Sequence, residues 1–131
     1  MNRRYVLDAS TALAWCFADE ETADLPTDGH AVVPGLWPLE LANGLLSGER
    51  RGRISHVEAL RVWDALWAAL AVEVANSDGR FAEAWALARD EGVSVYDAAY
   101  LELAILEGVP LATRDERLAQ AAWNRDVAVF S

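Results

Sequence analysis

Tyr5-Val6-Leu7-Asp8-Ala9-Ser10 is a short apolar run that stops on an acid and passes at once into residues with a helical pattern. Outward from it the same alternation recurs. Tyr5–Asp8 reads as a first strand and Ser10 to about Ala18 as a helix, followed by an acidic loop over Asp19–Gly29. Ala31–Pro34 reads as a second strand, and Leu36 to about Arg51 as a helix ended by Gly52. A further helix over Ser55–Leu70 opens with the capping box Ser55-x-x-Glu58 and places Leu60, Trp63, Trp67 and Leu70 at helical spacing. Ala71–Ala75 is a third strand, and Asn76–Glu91 a helix with Phe81, Ala84, Trp85 and Ala88 on one face. Tyr96–Glu107 is a helix stopped by Gly108, entered through an extended Val93–Val95; Leu111–Thr113, Asp115–Asn124 and Val127–Phe130 read as strand, helix and strand. Strands separated by helices of this length need crossover connections, so the expected class is α/β with a parallel sheet. With 131 residues and no repeat or long linker, one domain over 1–131 is expected.

In a parallel sheet, ligands bind outside the carboxyl ends of the strands. Four acids lie at or near the ends of apolar runs, Asp8, Glu40, Asp97 and Asp115, and of these only Asp97 lacks a clear preceding strand. Carboxylates gathered at one edge repel one another unless a cation joins them, which points to a hard, oxygen-ligated metal and metal-assisted hydrolysis. Each acid also has a plainer reading. Asp8 suits a helix cap, Asp97 completes the helix start Ser94-x-x-Asp97, and Asp115 lies inside Thr113-x-x-Glu116, which reads as a capping box. Glu40 has less of an alternative. It lies among leucines, with Asn43 and Ser47 at i+3 and i+7, and a carboxylate there needs a partner or exposure. The remaining acids, Glu102 among them, read as solvated loops, polar faces and helix ends.

Other chemistries are poorly served. The single Cys16 excludes an intramolecular disulfide and a cysteine-rich zinc site, and His30 and His56 have no supporting ligand pattern. Nucleophile-elbow, Walker and Gly-x-Gly-x-x-Gly motifs are missing. The longest run without a charged residue or histidine, Ala9 to Ala18, is too short to span a bilayer, and no secretory pattern opens the chain, so a cytoplasmic protein with no membrane partner is expected. The chain has 11 arginines and no lysine, against 21 acids, for a net charge of −10. Such acidity opposes nucleic-acid binding. Arg50, Arg51 and Arg53 are bunched, however, and read either as a phosphate-holding group or as a solvated helix end that complements the helix dipole. An apolar content of 53% suggests a sheet buried on both faces or a partner interface. Of the six tryptophans, Trp63 and Trp67 are the pair whose exposure bears on a partner surface.

Four stretches taken in order resemble one family: Val6-Leu7-Asp8-Ala9-Ser10, Trp37-Pro38-Leu39-Glu40-Leu41-Ala42-Asn43, Tyr96-Asp97-Ala98-Ala99-Tyr100, and Leu111-Ala112-Thr113-Arg114-Asp115. Together they resemble PIN-domain ribonucleases, and within these the VapC-type toxins of bacterial toxin–antitoxin pairs. The resemblance implies a three-layer sandwich, with a five-stranded parallel sheet in order 3-2-1-4-5 flanked by helices. It implies RNA cleavage dependent on Mg²⁺ or Mn²⁺, with Asp8 and Asp97 as principal ligands and Glu40 and Asp115 as the remaining acids. Ser10 and Thr113 match supporting hydroxyls, and Asn43 a polar position near the site. Arg114, beside Asp115, reads as a phosphate contact or as a solvent-facing loop residue. The implied partners are an RNA substrate such as tRNA, a VapB-type antitoxin and a second copy in a homodimer. A nuclease of ordinary RNA processing and a partner-binding module without nuclease activity are the alternatives.

Overall fold

The computed structural model describes residues 3–17, 29–76 and 80–131. Its elements are β1 (Arg3–Leu7), α1 (Ala9–Phe17), β2 (Gly29–Val33), α2 (Trp37–Arg50), α3 (His56–Ala69), β3 (Ala71–Val74), α4 (Phe81–Glu91), α5 (Val95–Glu107), β4 (Leu111–Ala112), α6 (Glu116–Asn124) and β5 (Val129–Phe130). The acidic loop expected over Asp19–Gly29 lies outside the described residues, except for Gly29, which opens β2. The start expected for the fourth helix is displaced: the helix begins at Phe81, and 77–79 lie outside the described residues.

All strand pairings are parallel, and the sheet order is β3-β2-β1-β4-β5. The chain builds outward from β1 to β2 and β3, then crosses back to β4 and β5. Right-handed crossovers in opposite directions place α1, α2 and α3 on one face and α4, α5 and α6 on the other. The packing agrees: α2 contacts α1 and α3, while α5 contacts α4 and α6. With both faces covered, the inner part of the central strand is apolar without alternation: Tyr5, Val6 and Leu7 are buried, after the exposed Arg3 and Arg4. Both edges are short, and β3 is largely exposed. The order reverses between β1 and β4, where a crevice forms at the carboxyl ends of the strands.

The helix signals held at several points. Ser55 and Glu58 form a complete capping box, with Glu58 N–H donating to Ser55 Oγ at 3.1 Å and Ser55 N–H to Glu58 Oε1 at 3.0 Å. Gly92 and Gly108 take positive φ of 69° and 66° and end α4 and α5.

Three expectations need correction. On α4 the buried residues are Ala84, Leu87 and Ala88, whereas Phe81 and Trp85 are 75% and 69% exposed, so the apolar positions do not share one buried face. On α3 the buried positions are Ala59 and Leu66, and Leu60 is exposed. Trp63 and Trp67, the pair whose exposure was in question, are half-buried and packed together, with Trp67 edge-on to the buried Trp37 at 5.3 Å; among the described residues Trp85 and Trp123 are the exposed tryptophans. Glu102, expected on a polar face, is 8% exposed and bonds Arg80, a partner twenty-two positions away that helical spacing does not reveal.

Candidate active site

Asp8 follows β1 directly. Its N–H donates to the Ala112 carbonyl at 3.1 Å, carrying the β1–β4 ladder one residue beyond the strand. Its own carbonyl accepts from Thr11 N–H at 3.1 Å and Ala12 N–H at 3.0 Å, which starts α1. The backbone is thus fixed from both sides, and the side chain, in a residue only 5% exposed, is held in the crevice between β1 and β4.

Hydroxyls converge on that carboxylate. Ser10 Oγ and Thr113 Oγ1 each donate to Oδ2 at 3.0 Å, with Thr11 Oγ1 more distant at 3.5 Å, while Oδ1 receives only the Ser10 N–H at 3.3 Å. Thr113, buried at the end of β4, also accepts from Asp115 N–H at 3.1 Å, and Thr11 Oγ1 accepts from Arg114 N–H at 2.9 Å. One carboxylate and two threonines therefore lock the start of α1 to the β4–α6 connection. This overturns the capping box expected for Thr113 and Glu116: the N-cap of α6 is Asp115, whose Oδ1 accepts from Leu118 N–H at 2.9 Å.

The other two acids come from helices on opposite faces of the sheet. Asp97 sits in the first turn of α5, where its N–H donates to Ser94 Oγ at 3.0 Å. Glu40 sits in the first turn of α2 and accepts a 2.6 Å hydrogen bond from the hydroxyl of Tyr100 on α5. Tyr100 lies three residues beyond Asp97 and so on the same side of its helix.

The four acids feel one another. Burial pushes the Asp8 carboxyl above its ordinary range; the hydroxyls of Thr113 and Ser10 pull it back, and the charge of Asp115 adds to the rise. Burial also raises Glu40, opposed by the Tyr100 bond and reinforced by Asp8 and Asp97. Asp97 is raised by burial, then by Asp115 and Asp8, with the Ser94 hydroxyl opposing. Tyr100, buried and facing Glu40, is held far above the ordinary phenol range and stays a donor. Among the described residues no arginine or histidine forms an ion pair with any of the four. Nor do three acid, histidine or cysteine side chains among them stand close enough to enclose an ion as they are. The cluster is an open mouth of carboxylates rather than a closed cage.

All its donors are oxygens, and the two histidines are engaged elsewhere, His30 with Glu73 and His56 with Glu49. That chemistry fits a hard divalent cation such as Mg²⁺ or Mn²⁺ and suits zinc poorly. Of the supporting residues expected from sequence, Ser10 and Thr113 join the cluster. Asn43 is exposed on α2 and makes no hydrogen bond to it among the described residues, and the Arg114 side chain is exposed, with only its backbone engaged. Thr11 and Tyr100 were missed. Each stands three residues beyond an acid already singled out, a spacing that was available in the sequence.

The PIN domain is the family description that matches, over residues 5–124. Ribonuclease VapC3 of Pyrobaculum aerophilum is 35% identical over 123 residues, covering 89% of this chain and 93% of the relative. Ribonuclease VapC9 of Mycobacterium tuberculosis is 33% identical over 114 residues, 87% of each chain. A crystal structure of a Pyrobaculum aerophilum protein superposes with a TM-score of 0.74 at 24% identity, covering 97% of this chain and 83% of that one. VapBC2 from Rickettsia felis, bound to a DNA fragment from its promoter, superposes with a TM-score of 0.71 at 12% identity, covering 97% of both chains. Sheet order, matched family and relatives agree: the chain belongs to the PIN-domain family.

Proposed function

We propose that the chain is a divalent-metal-dependent endoribonuclease of the VapC toxin type, held in check by a cognate antitoxin. The observation that carries this reading is Asp8: a nearly buried carboxylate, fixed by hydroxyls at the sheet's reversal point, with Asp97, Asp115 and Glu40 in electrostatic range and, among the described residues, no arginine or histidine in an ion pair with any of them. The ribonuclease names of the relatives support RNA as substrate, and the VapBC2 complex supports an antitoxin partner. A homodimer and a structured RNA such as tRNA complete the proposal.

Asp8, Asp97 and Asp115 would hold Mg²⁺ or Mn²⁺, with Glu40 as a further ligand or as the group that orients the attacking water. Bound there, the ion supplies a Lewis acid for the scissile phosphate and a water acidic enough to attack at neutral pH. The hydroxyls of Ser10 and Thr113 favour the ionised form of Asp8 against the effect of burial and hold its carboxylate in place. Tyr100 holds Glu40 toward the cluster. The raised pKa of Glu40 suits it to take a proton from the attacking water.

The test is cleavage of RNA by purified protein with Mg²⁺ or Mn²⁺ and with chelator, alongside Asp97→Asn. The wild type should cleave only with metal. The variant should keep its circular dichroism spectrum and lose at least about a hundredfold in rate, the scale of a lost electrostatic stabiliser. Cleavage retained by the variant, in protein free of contaminating nuclease, would defeat the reading. Induced expression without the antitoxin gene should arrest growth.

A further inference from the structure

A groove of about 830 Å³ lies beside the acid cluster among α1, α2 and α3. Ser10, whose hydroxyl bonds Asp8, lines it, so the groove is continuous with the candidate active site. Arg51 and Arg53 line it too, with an apolar surface from Leu13, Ile54 and Val62. On the nuclease reading given above, we propose that this groove holds the RNA strand beyond the scissile bond, with Arg51 and Arg53 on its phosphates and the apolar wall against its sugars and bases.

Three observations carry the assignment. The first is electrostatic. A chain of net charge −10 whose acids gather at the site repels a polyanion, and RNA must be held there by nearby cations. The second is availability. Arg4, Arg80 and Arg125 are taken up in ion pairs, whereas Arg51 and Arg53 form none among the described residues and are exposed. The third is placement. Gly52, at φ 72°, closes α2 with paired hydrogen bonds: Gly52 N–H donates to the Glu49 carbonyl at 3.1 Å and Arg53 N–H to the Gly48 carbonyl at 2.9 Å. This closed turn sets the two arginines on either side of Gly52. The helix-dipole role belongs to Arg50, the basic residue in the last turn of α2.

Glu58 also faces the groove and is the opposing charge. Its carboxylate is engaged by Ser55 N–H, and Arg61 lies within its electrostatic range. The groove therefore keeps a cationic balance of one, from two arginines against one glutamate.

The decisive experiment compares Arg51→Glu/Arg53→Glu and Arg51→Lys/Arg53→Lys with wild type, on a long single-stranded RNA and on a trinucleotide too short to leave the acid cluster. For the glutamate pair, KM on the long RNA should rise about tenfold or more with kcat within about twofold, and the salt slope of kcat/KM should become shallower by about 1.4, or 0.7 per phosphate contact. Trinucleotide cleavage should be unchanged, and the lysine pair should retain most of the wild-type KM. An unchanged KM and salt slope would overturn the proposal. So would an equal loss on both substrates with a lowered Tm, which marks a structural role, or normal cleavage with lost binding of the antitoxin, which marks a protein's groove. If the wild type cleaves no RNA with metal, the nuclease reading fails separately. Fluorescence anisotropy of labelled RNA against wild type and the glutamate pair then decides the groove: weakened, less salt-sensitive binding supports it and equal binding overturns it.

Discussion

At Asp8 one carboxylate accepts from a serine, from a threonine just past a strand more than a hundred residues away, and from a backbone N–H, and still leaves Oδ1 with a single long contact. Its neighbour Glu40 depends on one bond from Tyr100, and that dependence is testable. The phenol stabilises the ionised carboxylate, so Tyr100→Phe should raise the Glu40 pKa further. The acid limb of the activity profile should move to higher pH, and the rate should fall roughly tenfold to a hundredfold, in line with about 1.5–3 kcal/mol for a hydrogen bond to a charged group. An unshifted acid limb would contradict the role given to Tyr100. Metal-free stability gives a second residue-scale test. The carboxyls of Asp8, Glu40 and Asp97 are raised in the folded chain, which therefore holds protons that the unfolded chain has released. Stability contributed by these groups falls as pH rises through the raised values and stays low above them. Asp97→Asn should thus melt higher than wild type at neutral pH without metal, and the gap should close as pH falls below the ordinary carboxylate range. Added Mg²⁺ should reverse the order by stabilising only the wild type. The four acids stood out in the sequence because each lies at or near the end of an apolar run. Tyr100 and Thr11 stood at a readable spacing from Asp97 and Asp8 but were passed over, because a tyrosine in an apolar helix and a threonine at a helix start look like packing and capping until the partner strand or helix is in place.

Among the elements, local signals were read well wherever one helix decides its own ends: Ser55 with Glu58, and the glycines after α4 and α5. They were read poorly where a neighbouring element decides. On α4 the aromatic residues look like the buried face, yet the residues buried are the smaller Ala84, Leu87 and Ala88. Leu87→Ala should accordingly cost about 2–5 kcal/mol in denaturant unfolding, as for other buried leucines. A cost under about 0.5 kcal/mol, the level of a surface change, would contradict the packing described. Thr113 shows the same limit. Its sequence context is that of a cap, but β4 delivers its hydroxyl to Asp8, and Asp115 takes over the capping of α6.

For the molecule as a whole, alternating strands and helices announced the parallel α/β class, and the family resemblance supplied the strand order that the structure bears out. That order explains why residues 8, 40, 97 and 115 share one electrostatic neighbourhood: the chain reverses direction beside β1, so acids from both halves meet at the same edge. What the sequence could not show is how tightly they meet, since side-chain separation across an open crevice is set by helix packing and not by spacing along the chain. The carboxylates lie near one another without forming a ready cage among the described residues, so an entering cation must draw them inward. Anomalous scattering from crystals grown with Mn²⁺ tests this most directly. The expected result is a peak within ligand distance of Asp8 and Asp97, with Asp115 or Glu40 completing the shell directly or through water. At saturating Mn²⁺, a map empty at this edge of the sheet, or with its peaks only on other carboxylates, would contradict the account.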